Sequence, residues 1–356
     1  MTETTIDWIA QRIDAAPSSV GLERIMGGRS NLTSRVYVDG KTSCVLREPP
    51  TGDLLATAHD LTREYRVLEA LQQADVPVAR PLGIRAIDGR TSYLMSYVPG
   101  TALPDASALR TWSDTVAVRT VLASSAGTLG RIHRCDHEQI GLAQHGRGGD
   151  YVGRQLDRWL TQWRSGPAPI ADAIPRLHAQ LRDCRPKPRR AALVHGDYHL
   201  GNLLLAPDGG IAAVVDWELS TIGDPLADLG TYLAFLDRDL WSWRLSNGGL
   251  SDSDRTELAE ALQQYGHDSS TADAQLDFYL AWAHWKLACI GEGVLARYRA
   301  SAMAGDRIDL DHLGWLIRRH AQAADELLAS SAADRFDPAP TTTVGAGRHT
   351  DNKEPQ

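Results

Sequence analysis

The stretch that decides the fold lies past the middle of the chain and reads Leu193-Val194-His195-Gly196-Asp197-Tyr198-His199-Leu200-Gly201-Asn202-Leu203-Leu204-Leu205. An apolar strand delivers His-Gly-Asp into a loop, and Asn202 follows Asp197 five residues later. After a Pro-Asp-Gly-Gly turn, a second apolar run ends at Asp216. Phosphoryl transfer needs a carboxylate that accepts a hydroxyl proton, and an amide oxygen and a second carboxylate that hold Mg²⁺ against the phosphates. The arrangement therefore suits phosphoryl transfer.

This stretch is similar to the catalytic loop of protein kinases, H-x-D-x-x-x-x-N followed by a metal-binding Asp, with Gly196 where protein kinases carry Arg. His-Gly-Asp, together with the downstream sequence GDPLADLG (223–230), resembles the aminoglycoside phosphotransferase and choline kinase branch of the kinase-like fold. The resemblance implies an α+β, bilobal fold with a small β-rich N-lobe around one main helix and a larger, mostly helical C-lobe. It also implies an enzyme that uses ATP and Mg²⁺ to phosphorylate a hydroxyl group of a small molecule.

The resemblance assigns roles to the residues of the loop. Asp197 would accept the proton of the substrate hydroxyl, Asn202 and Asp216 would ligate Mg²⁺, and His195 would support the loop. Asp228, on a helix that leaves the site, is expected to hydrogen-bond the loop rather than touch substrate. For any single Asp, a turn between two core strands is the alternative, which the four residues at family spacing make much less favourable.

The nucleotide is expected against the first hundred residues. Two β-prone runs flank Asp39-Gly40 and predict a hairpin, and apolar residues at three- and four-residue steps predict a helix over residues 59–71. The kinase layout implies that Val45 faces adenine and that Arg47 faces the phosphates and pairs with Glu64. Lysine is usual at the position of Arg47, but arginine is also cationic and forks across two partners.

Two further segments are expected at the nucleotide. The glycine-rich run GGRSN (27–31), placed before the first strand, would bring backbone N–H groups over phosphates, with a plain turn as the alternative. A second hairpin ends at Met95 and leads into SYVPG (96–100), the hinge between the lobes in this fold, for which an ordinary linker is the alternative. The candidate contacts of these segments are the phosphate-side residues Gly28, Ser30 and Asn31, the pocket-side Met95, and the backbone groups of Ser96 and Val98.

Four stretches resemble the branch that is fused to, or encoded beside, acyl-CoA dehydrogenases: GGRSNLT (27–33), VLREPP (45–50), REYRVL (63–68) and RQLDRW (154–159). That branch is linked to phosphorylation of 4-hydroxyacyl-CoA compounds. The resemblance therefore implies a CoA thioester as the leading acceptor and a functional link to an acyl-CoA dehydrogenase. An aminoglycoside or another small alcohol stays open as the acceptor, and so does a nucleotide-binding pseudokinase scaffold.

Cationic and aromatic residues of the C-lobe are candidates for binding the acceptor. Arg154 and Arg158 lie one helical turn apart with Trp159 beside them, and Lys286 and Arg297 lie among apolar positions further on. Cations and tryptophan suit the phosphates and apolar chain of an acyl-CoA, whereas an aminoglycoside polycation calls for carboxylates. Solvated arginines and core tryptophans are the alternative interpretation.

Composition limits the classes of protein. The chain has 356 residues, 43% hydrophobic and 23% charged, which is ordinary for a soluble globular protein, and its net charge of -8 favours neither nucleic acid nor a membrane surface as partner. Because four scattered cysteines form no motif and no apolar run suits export or a membrane span, we expect a cytoplasmic location. We expect an N-lobe over 1–95, a C-lobe over 96–330, and a disordered, Pro- and Thr-rich tail over 331–356.

Overall fold

The computed structural model describes residues 4–25, 31–49, 61–104, 106–113, 116–166, 169–187, 191–236, 262–263, 265, 273–300 and 309–336. These residues form two lobes that meet at a cleft. The N-lobe is built on one antiparallel sheet, and the C-lobe consists of helices around two short strand pairs.

The N-lobe sheet has the strand order β1-β2-β3-β5-β4. Both Asp-Gly hairpins predicted from the sequence are confirmed, and in each turn the Asp and the Gly have positive φ, as a two-residue turn between twisted strands requires. A strand that was not predicted, β1, precedes the glycine-rich run. The strands are β1 (Val20–Arg24), β2 (Leu32–Val38), β3 (Lys41–Glu48), β4 (Pro81–Ile87) and β5 (Arg90–Ser96).

Two helices cover the sheet. Helix α1 (Thr5–Ile13) begins at a capping box formed by Thr4 and Asp7, and it buries Trp8 and Ile9 against the sheet. Helix α2 (Leu61–Leu71) is the helix predicted over 59–71, of which residues 59–60 lie outside the described part of the chain. Its buried face packs beside β5 and presents Glu64 to the cleft side of the sheet.

The chain passes between the lobes through a segment that is fastened to the C-lobe. Thr101 and Leu205 exchange two backbone hydrogen bonds of 3.0 and 2.9 Å. A Cβ atom on Gly100 would lie 2.8 Å from Cβ of Leu204, so the close approach of the two backbones requires glycine there.

Helices pack around the strand pairs β6–β9 and β7–β8 in the C-lobe. Its helices are α3 (Ala106–Ser113), α4 (Val118–Arg134), α5 (Tyr151–Arg164), α6 (Ile174–Asp183), α7 (Pro225–Phe235), α8 (Asp273–Arg299) and α9 (Leu310–Phe336), and its strands are β6 (Ala192–Val194), β7 (Leu203–Leu205), β8 (Ile211–Val214) and β9 (Thr221–Gly223). Helix α8 runs through the middle of the lobe and contacts α5, α6, α7 and α9.

The C-terminal boundary differs from the expected one. Helix α9 continues to Phe336, whereas the tail was expected to begin at residue 331, because Ala332 and Ala333 are strong helix formers. Residues 337–356 lie outside the described part of the chain. No helix in the described ranges has the length and apolar character to cross a membrane.

Candidate active site

The loop between β6 and β7 carries Asp197 and Asn202 into the cleft. The Asn202 side-chain nitrogen donates to the backbone oxygen of Asp197 at 3.0 Å and lies 3.3 Å from its carboxylate oxygen Oδ2. The backbone N–H of Val215 donates to the Asn202 carbonyl at 3.0 Å, which places Asp216, the next residue, beside Asn202. The structure therefore brings together the predicted base and both predicted metal ligands.

Gly196 has a conformation that only glycine adopts without strain. Its φ is +85°, and a Cβ atom there would lie 2.6 Å from the carbonyl oxygen of Leu219. An arginine, which protein kinases carry at this position, has no room in this loop. The conformation explains why the sequence reads His-Gly-Asp.

Asp228 is buried under the loop and holds it from below. Its carboxylate accepts the backbone N–H of His195 at 2.5 Å and that of Gly196 at 2.8 Å, and the ring Nε2 of His133 lies 3.3 Å away. Burial raises the pKa of Asp228, but the hydrogen bond and charge of His133, with the charge of His195 and the bond from Gly196, lower it overall. Asp228 contacts the loop, as the sequence led us to expect of a supporting residue.

The ring of His195 lies inside the C-lobe and joins two segments of the site. Its Nδ1 accepts the backbone N–H of Asp197 at 3.3 Å, and its Nε2 lies 3.0 Å from the carbonyl oxygen of Val215. Nε2 therefore carries the proton of the bond to Val215, and burial lowers the pKa of His195. The ring links the residue of the predicted base to the strand that leads to Asp216.

His199 is a neighbour of Asp197 to which the sequence analysis gave no role. Its Nδ1 accepts the backbone N–H of Gly201 at 3.0 Å, so the proton resides on Nε2, which lies 3.7 Å from Asp197 Oδ2. Burial raises the pKa of Asp197, but His199 foremost, with Lys286 and His195, outweighs burial and lowers it. Asp197 is therefore ionised and able to accept a proton. The signal in the sequence was a second histidine two residues after Asp197.

Arg47 spans the cleft on the nucleotide side. Its Nη2 lies 3.1 Å from both Glu64 Oε2 of α2 and Asp216 Oδ1 of the C-lobe, and its Nη1 donates to Thr33 Oγ1 at 3.2 Å. Burial opposes the charge of Arg47, but Glu64, Tyr93 and Asp216 raise its pKa overall. Arginine makes these contacts from two separate nitrogens, whereas a lysine would have to make all three from one.

The oxygens of Asn202 and Asp216 fit a magnesium ion. The amide nitrogen of Asn202 is engaged by Asp197, so its side-chain oxygen is the atom left to coordinate, and Asp216 has a carboxylate oxygen besides the one on Arg47. The described ranges contain no cluster of three acidic, histidine or cysteine side chains around one point. Mg²⁺ commonly takes one or two protein carboxylates and completes its shell with phosphates and water, so this donor set suits it.

The remaining predicted nucleotide residues lie in or just after the sheet, at Asn31, or outside the described part of the chain. Val45 and Met95 pair across β3 and β5, and Val98 follows β5 half-buried. The Ser96 N–H donates to the Arg80 carbonyl at 2.8 Å, so this one of its two backbone groups is already engaged. Buried Asn31 donates to Glu218 Oε2 at 3.4 Å, and its Oδ1 has no hydrogen-bond partner among the described residues. Gly28 and Ser30 lie outside the described part of the chain.

The predicted acceptor residues are not all exposed. Arg154 is exposed on α5 and donates to the backbone oxygens of Gly148 and Arg147, while exposed Arg158 lies over the Trp159 ring, which is itself buried. Arg297 is exposed near the end of α8. The structure places the fifth candidate, Lys286, against the catalytic loop, where its Nζ donates to the Gly196 carbonyl at 2.7 Å.

A bilobal kinase-like fold with this Asp-Asn-Asp arrangement at its cleft defines a phosphotransferase. The chain belongs to the phosphotransferase enzyme family, whose family model matches residues 21–279. The predicted family and fold class are thus confirmed.

Similar proteins add detail to this assignment. The chain is 34% identical over 286 residues to acyl-CoA dehydrogenase family member 10 of Mus musculus, covering 76% of this chain and 26% of that protein. It is 31% identical over 296 residues to acyl-CoA dehydrogenase family member 11 of Gallus gallus, covering 79% and 37%. The chain thus spans about a quarter to two fifths of the length of these relatives.

Solved structures share the fold. A protein of Ralstonia eutropha JMP134 assigned as an aminoglycoside phosphotransferase superposes with a TM-score of 0.73 at 27% identity, covering 91% of this chain and 97% of that one. The aminoglycoside phosphotransferase APH(4)-Ia, in complex with AMP-PNP and hygromycin B, gives a TM-score of 0.59 at 18% identity, covering 92% and 99%. At that identity the second likeness shows the fold alone.

Proposed function

We propose that this protein transfers the γ-phosphate of ATP to a hydroxyl group of a CoA thioester, with a 4-hydroxyacyl-CoA as the leading acceptor. The observation that carries phosphoryl transfer is the ionised Asp197 beside Asn202 and Asp216. The choice of acceptor is supported by the two relatives named for acyl-CoA dehydrogenases.

Asp197 acts as the general base. It accepts the proton of the acceptor hydroxyl as that oxygen forms a bond to the γ-phosphorus, while the bond from the γ-phosphorus to the bridging oxygen breaks and ADP leaves. Asn202 and Asp216 would hold Mg²⁺, which when bound neutralises charge on the phosphate oxygens. The proton then passes from Asp197 to solvent as the product departs.

The N-lobe holds the nucleotide. Arg47 contacts its phosphates, and Glu64 fixes the guanidinium for that task. Val45 and Met95 border adenine, and the Ser96 carbonyl and the Val98 backbone face its edge. Asn31, whose buried Oδ1 has no partner among the described residues, lies at the end of the glycine-rich run and is proposed to face the phosphates. Gly28 and Ser30, which precede it in the sequence, stay predicted phosphate contacts.

Charge on the C-lobe favours an anionic acceptor. Arg154 and Arg158 are exposed on one face of α5, and Arg297 is exposed on the neighbouring α8. Phosphates of CoA pair with such guanidinium groups, whereas a polycationic aminoglycoside is repelled by them. The product is then a phosphorylated acyl-CoA, which links the enzyme to acyl-CoA dehydrogenase chemistry. The four cysteines are free thiols, which fits action in the reducing cytoplasm.

ADP release measured with a panel of acceptors tests the proposal. The panel contains a 4-hydroxyacyl-CoA, the free 4-hydroxy acid without CoA, and kanamycin, each with ATP and Mg²⁺. We expect turnover with the thioester, a lower kcat/KM with the free acid, and none with kanamycin. Turnover with kanamycin and with no other compound of the panel would overturn the proposed acceptor.

Asp197→Asn provides the control for chemistry. We expect kcat to fall by about 10²- to 10⁴-fold, the usual contribution of a general base, while the rise in melting temperature caused by ATP and Mg²⁺ stays that of the wild type. Asp208→Asn, on an exposed turn, is the matched variant and should leave kcat unchanged. Equal and negligible ADP release by wild type and Asp197→Asn with every acceptor would instead support a nucleotide-binding scaffold.

A further inference from the structure

Lys286 is a buried cation in the middle of α8. The residue is 3% exposed, and its Nζ lies 5.5 Å from the centre of the Trp282 ring. Within the described ranges, no carboxylate lies at salt-bridge distance from this ammonium. A buried ammonium without a direct carboxylate partner is costly, so its position calls for a physical reason.

The ammonium and the carboxylate of Asp228 hold opposite ends of one residue. The Gly196 N–H donates to Asp228 Oδ1 at 2.8 Å, and the Gly196 carbonyl accepts from Lys286 Nζ at 2.7 Å. The negative carboxylate accepts from the N–H group, and the positive ammonium donates to the carbonyl oxygen. Charge-assisted hydrogen bonds of this kind are stronger than neutral ones. Gly196 has no side chain, so these bonds fix its backbone.

The Gly196 carbonyl belongs to the peptide group that leads directly into Asp197. Rotation of that peptide changes the direction in which the Asp197 side chain leaves the backbone. Asp197 itself receives contacts from Asn202 and His199, further along the same loop, and its N–H donates to the ring of His195, which precedes it in that loop. On its carbonyl side, this peptide is bonded by Lys286, which lies outside the loop.

We propose that Lys286 is a positioning residue, which fixes the Gly196 carbonyl and thereby the direction in which Asp197 presents its carboxylate to the acceptor hydroxyl. This inference rests on the proposed function, because it takes Asp197 as the base. It replaces the expected role of Lys286 in contacting the acceptor. The proposed role of Lys286 does not depend on the class of acceptor.

Kinetics of a graded set of variants test the proposal. Lys286→Met keeps an unbranched side chain of similar length without the charge, and we expect kcat to fall about 10²-fold, as for a misplaced reacting group. The KM for ATP should stay within about threefold, because Arg47, Val45 and Met95, which are proposed to contact the nucleotide, lie on the N-lobe away from Lys286. Lys286→Arg restores a cationic donor and should recover about tenfold of the lost kcat. Arg299→Met, which removes a charge from the exposed end of the same helix, should match the wild type.

Hydrogen exchange provides a readout that needs no acceptor. Mass spectrometry of Lys286→Met should show faster amide exchange over residues 195–202 and unchanged exchange over β2 and β3. If Lys286→Met does not fold, Lys286→Gln, which keeps an N–H donor without the charge, takes its place in both experiments. Unchanged exchange with kcat within twofold of the wild type overturns the proposal. Faster exchange throughout both lobes, together with a rise in the KM for ATP as large as the fall in kcat, also overturns it.

The two proposals fail in distinguishable ways. If the wild type phosphorylates no acceptor of the panel, the proposed function fails, and the exchange pattern over 195–202 alone decides the role of Lys286. If the wild type is active and Lys286→Met is equally active with an unaltered loop, the role of Lys286 fails and the proposed function stands.

Discussion

The two sides of the cleft hold their carboxylates in different ways. On the nucleotide side, Asp216 is 36% exposed and shares one guanidinium nitrogen of Arg47 with Glu64. On the catalytic side, Asp228 is 1% exposed and receives two backbone N–H groups and a histidine. The first contact joins the two lobes through long side chains, and the second joins a buried side chain to the backbone of one loop.

This difference assigns separate tasks to the two sides. An ion pair across a partly exposed cleft contributes little to stability and can lengthen or shorten as the lobes move around a nucleotide. A buried carboxylate that bonds backbone groups is costly to disturb, and it fixes the loop that carries Asp197. We therefore expect changes at Arg47 to act mainly on nucleotide binding, and changes beneath the loop to act on stability and kcat.

The largest effect is expected for Asp228→Asn. The amide places a donor where the carboxylate accepts N–H groups, so one of His195, Gly196 or His133 loses its acceptor. We expect the free energy of unfolding, measured with urea, to fall by about 3 to 5 kcal/mol, the range for breaking a buried charged contact. Asp208→Asn, on an exposed turn, should change it by less than about 0.5 kcal/mol. A loss below about 1 kcal/mol for Asp228→Asn would contradict the comparison.

The next effect concerns the glycine that the loop requires. Gly196→Ala should cost about 3 kcal/mol of unfolding free energy, since a positive φ and a contact of 2.6 Å with the Leu219 carbonyl both oppose a Cβ atom. Gly40→Ala has a similar φ of +75° but no atom within 4 Å of the added Cβ, so it should cost only about 1 kcal/mol. Equal losses in the two variants would show that the Leu219 contact does not matter.

The parts of the site that the sequence predicted are those that depend on local spacing. Asp197, Asn202 and Asp216 stand at fixed distances along one short stretch, and the two strand pairs around it leave few other arrangements. The pairing of Arg47 with Glu64 followed from the resemblance and is present in the structure. Its contact with Asp216, 169 residues away, depends on how the lobes close and has no local signal.

The parts that the sequence did not predict depend on long-range packing or on signals that were overlooked. Helix α1 is marked by the Thr4 and Asp7 capping box, a signal that is readable in the sequence but was not used. Lys286 was assigned to the acceptor because it is a cation among apolar residues. Spacing along α8 cannot show that this turn of the helix passes under a loop 90 residues earlier in the chain.

A smaller effect is expected on the nucleotide side. Arg47→Lys keeps the charge but cannot contact Glu64, Asp216 and Thr33 together, so we expect the KM for ATP to rise about tenfold or less while kcat changes less than threefold. Initial-rate measurements at varied ATP concentration decide this. A fall in kcat comparable to that of Asp197→Asn would show that the two sides are not separable.

The smallest effect is a difference in how the two sides respond to pH, at most about 1.4 kcal/mol per pH unit for one proton. The folded pKa of Asp228 lies below its ordinary value, since hydrogen bonds and histidine charge outweigh burial. Its contribution to stability is therefore present above about pH 4 and is lost as pH falls. The folded pKa of Glu64 lies above its ordinary value, because burial and the charge of Asp216 outweigh the guanidinium that the two carboxylates share.

Glu64 should consequently respond in the opposite direction. A raised folded pKa means that its contribution is present below the ordinary pKa and is lost as pH rises through the folded value. Urea unfolding between pH 3.5 and 7, over roughly the range in which carboxyl groups titrate, should show the stability difference between wild type and Glu64→Gln falling as pH rises. The difference between wild type and Asp228→Asn should rise over the acid end of the same range. Slopes of the same sign would mean that Arg47 compensates the charge of Glu64 as fully as the loop compensates that of Asp228. The distinction between a cation shared by two carboxylates and a carboxylate bonded to backbone N–H groups would then no longer hold.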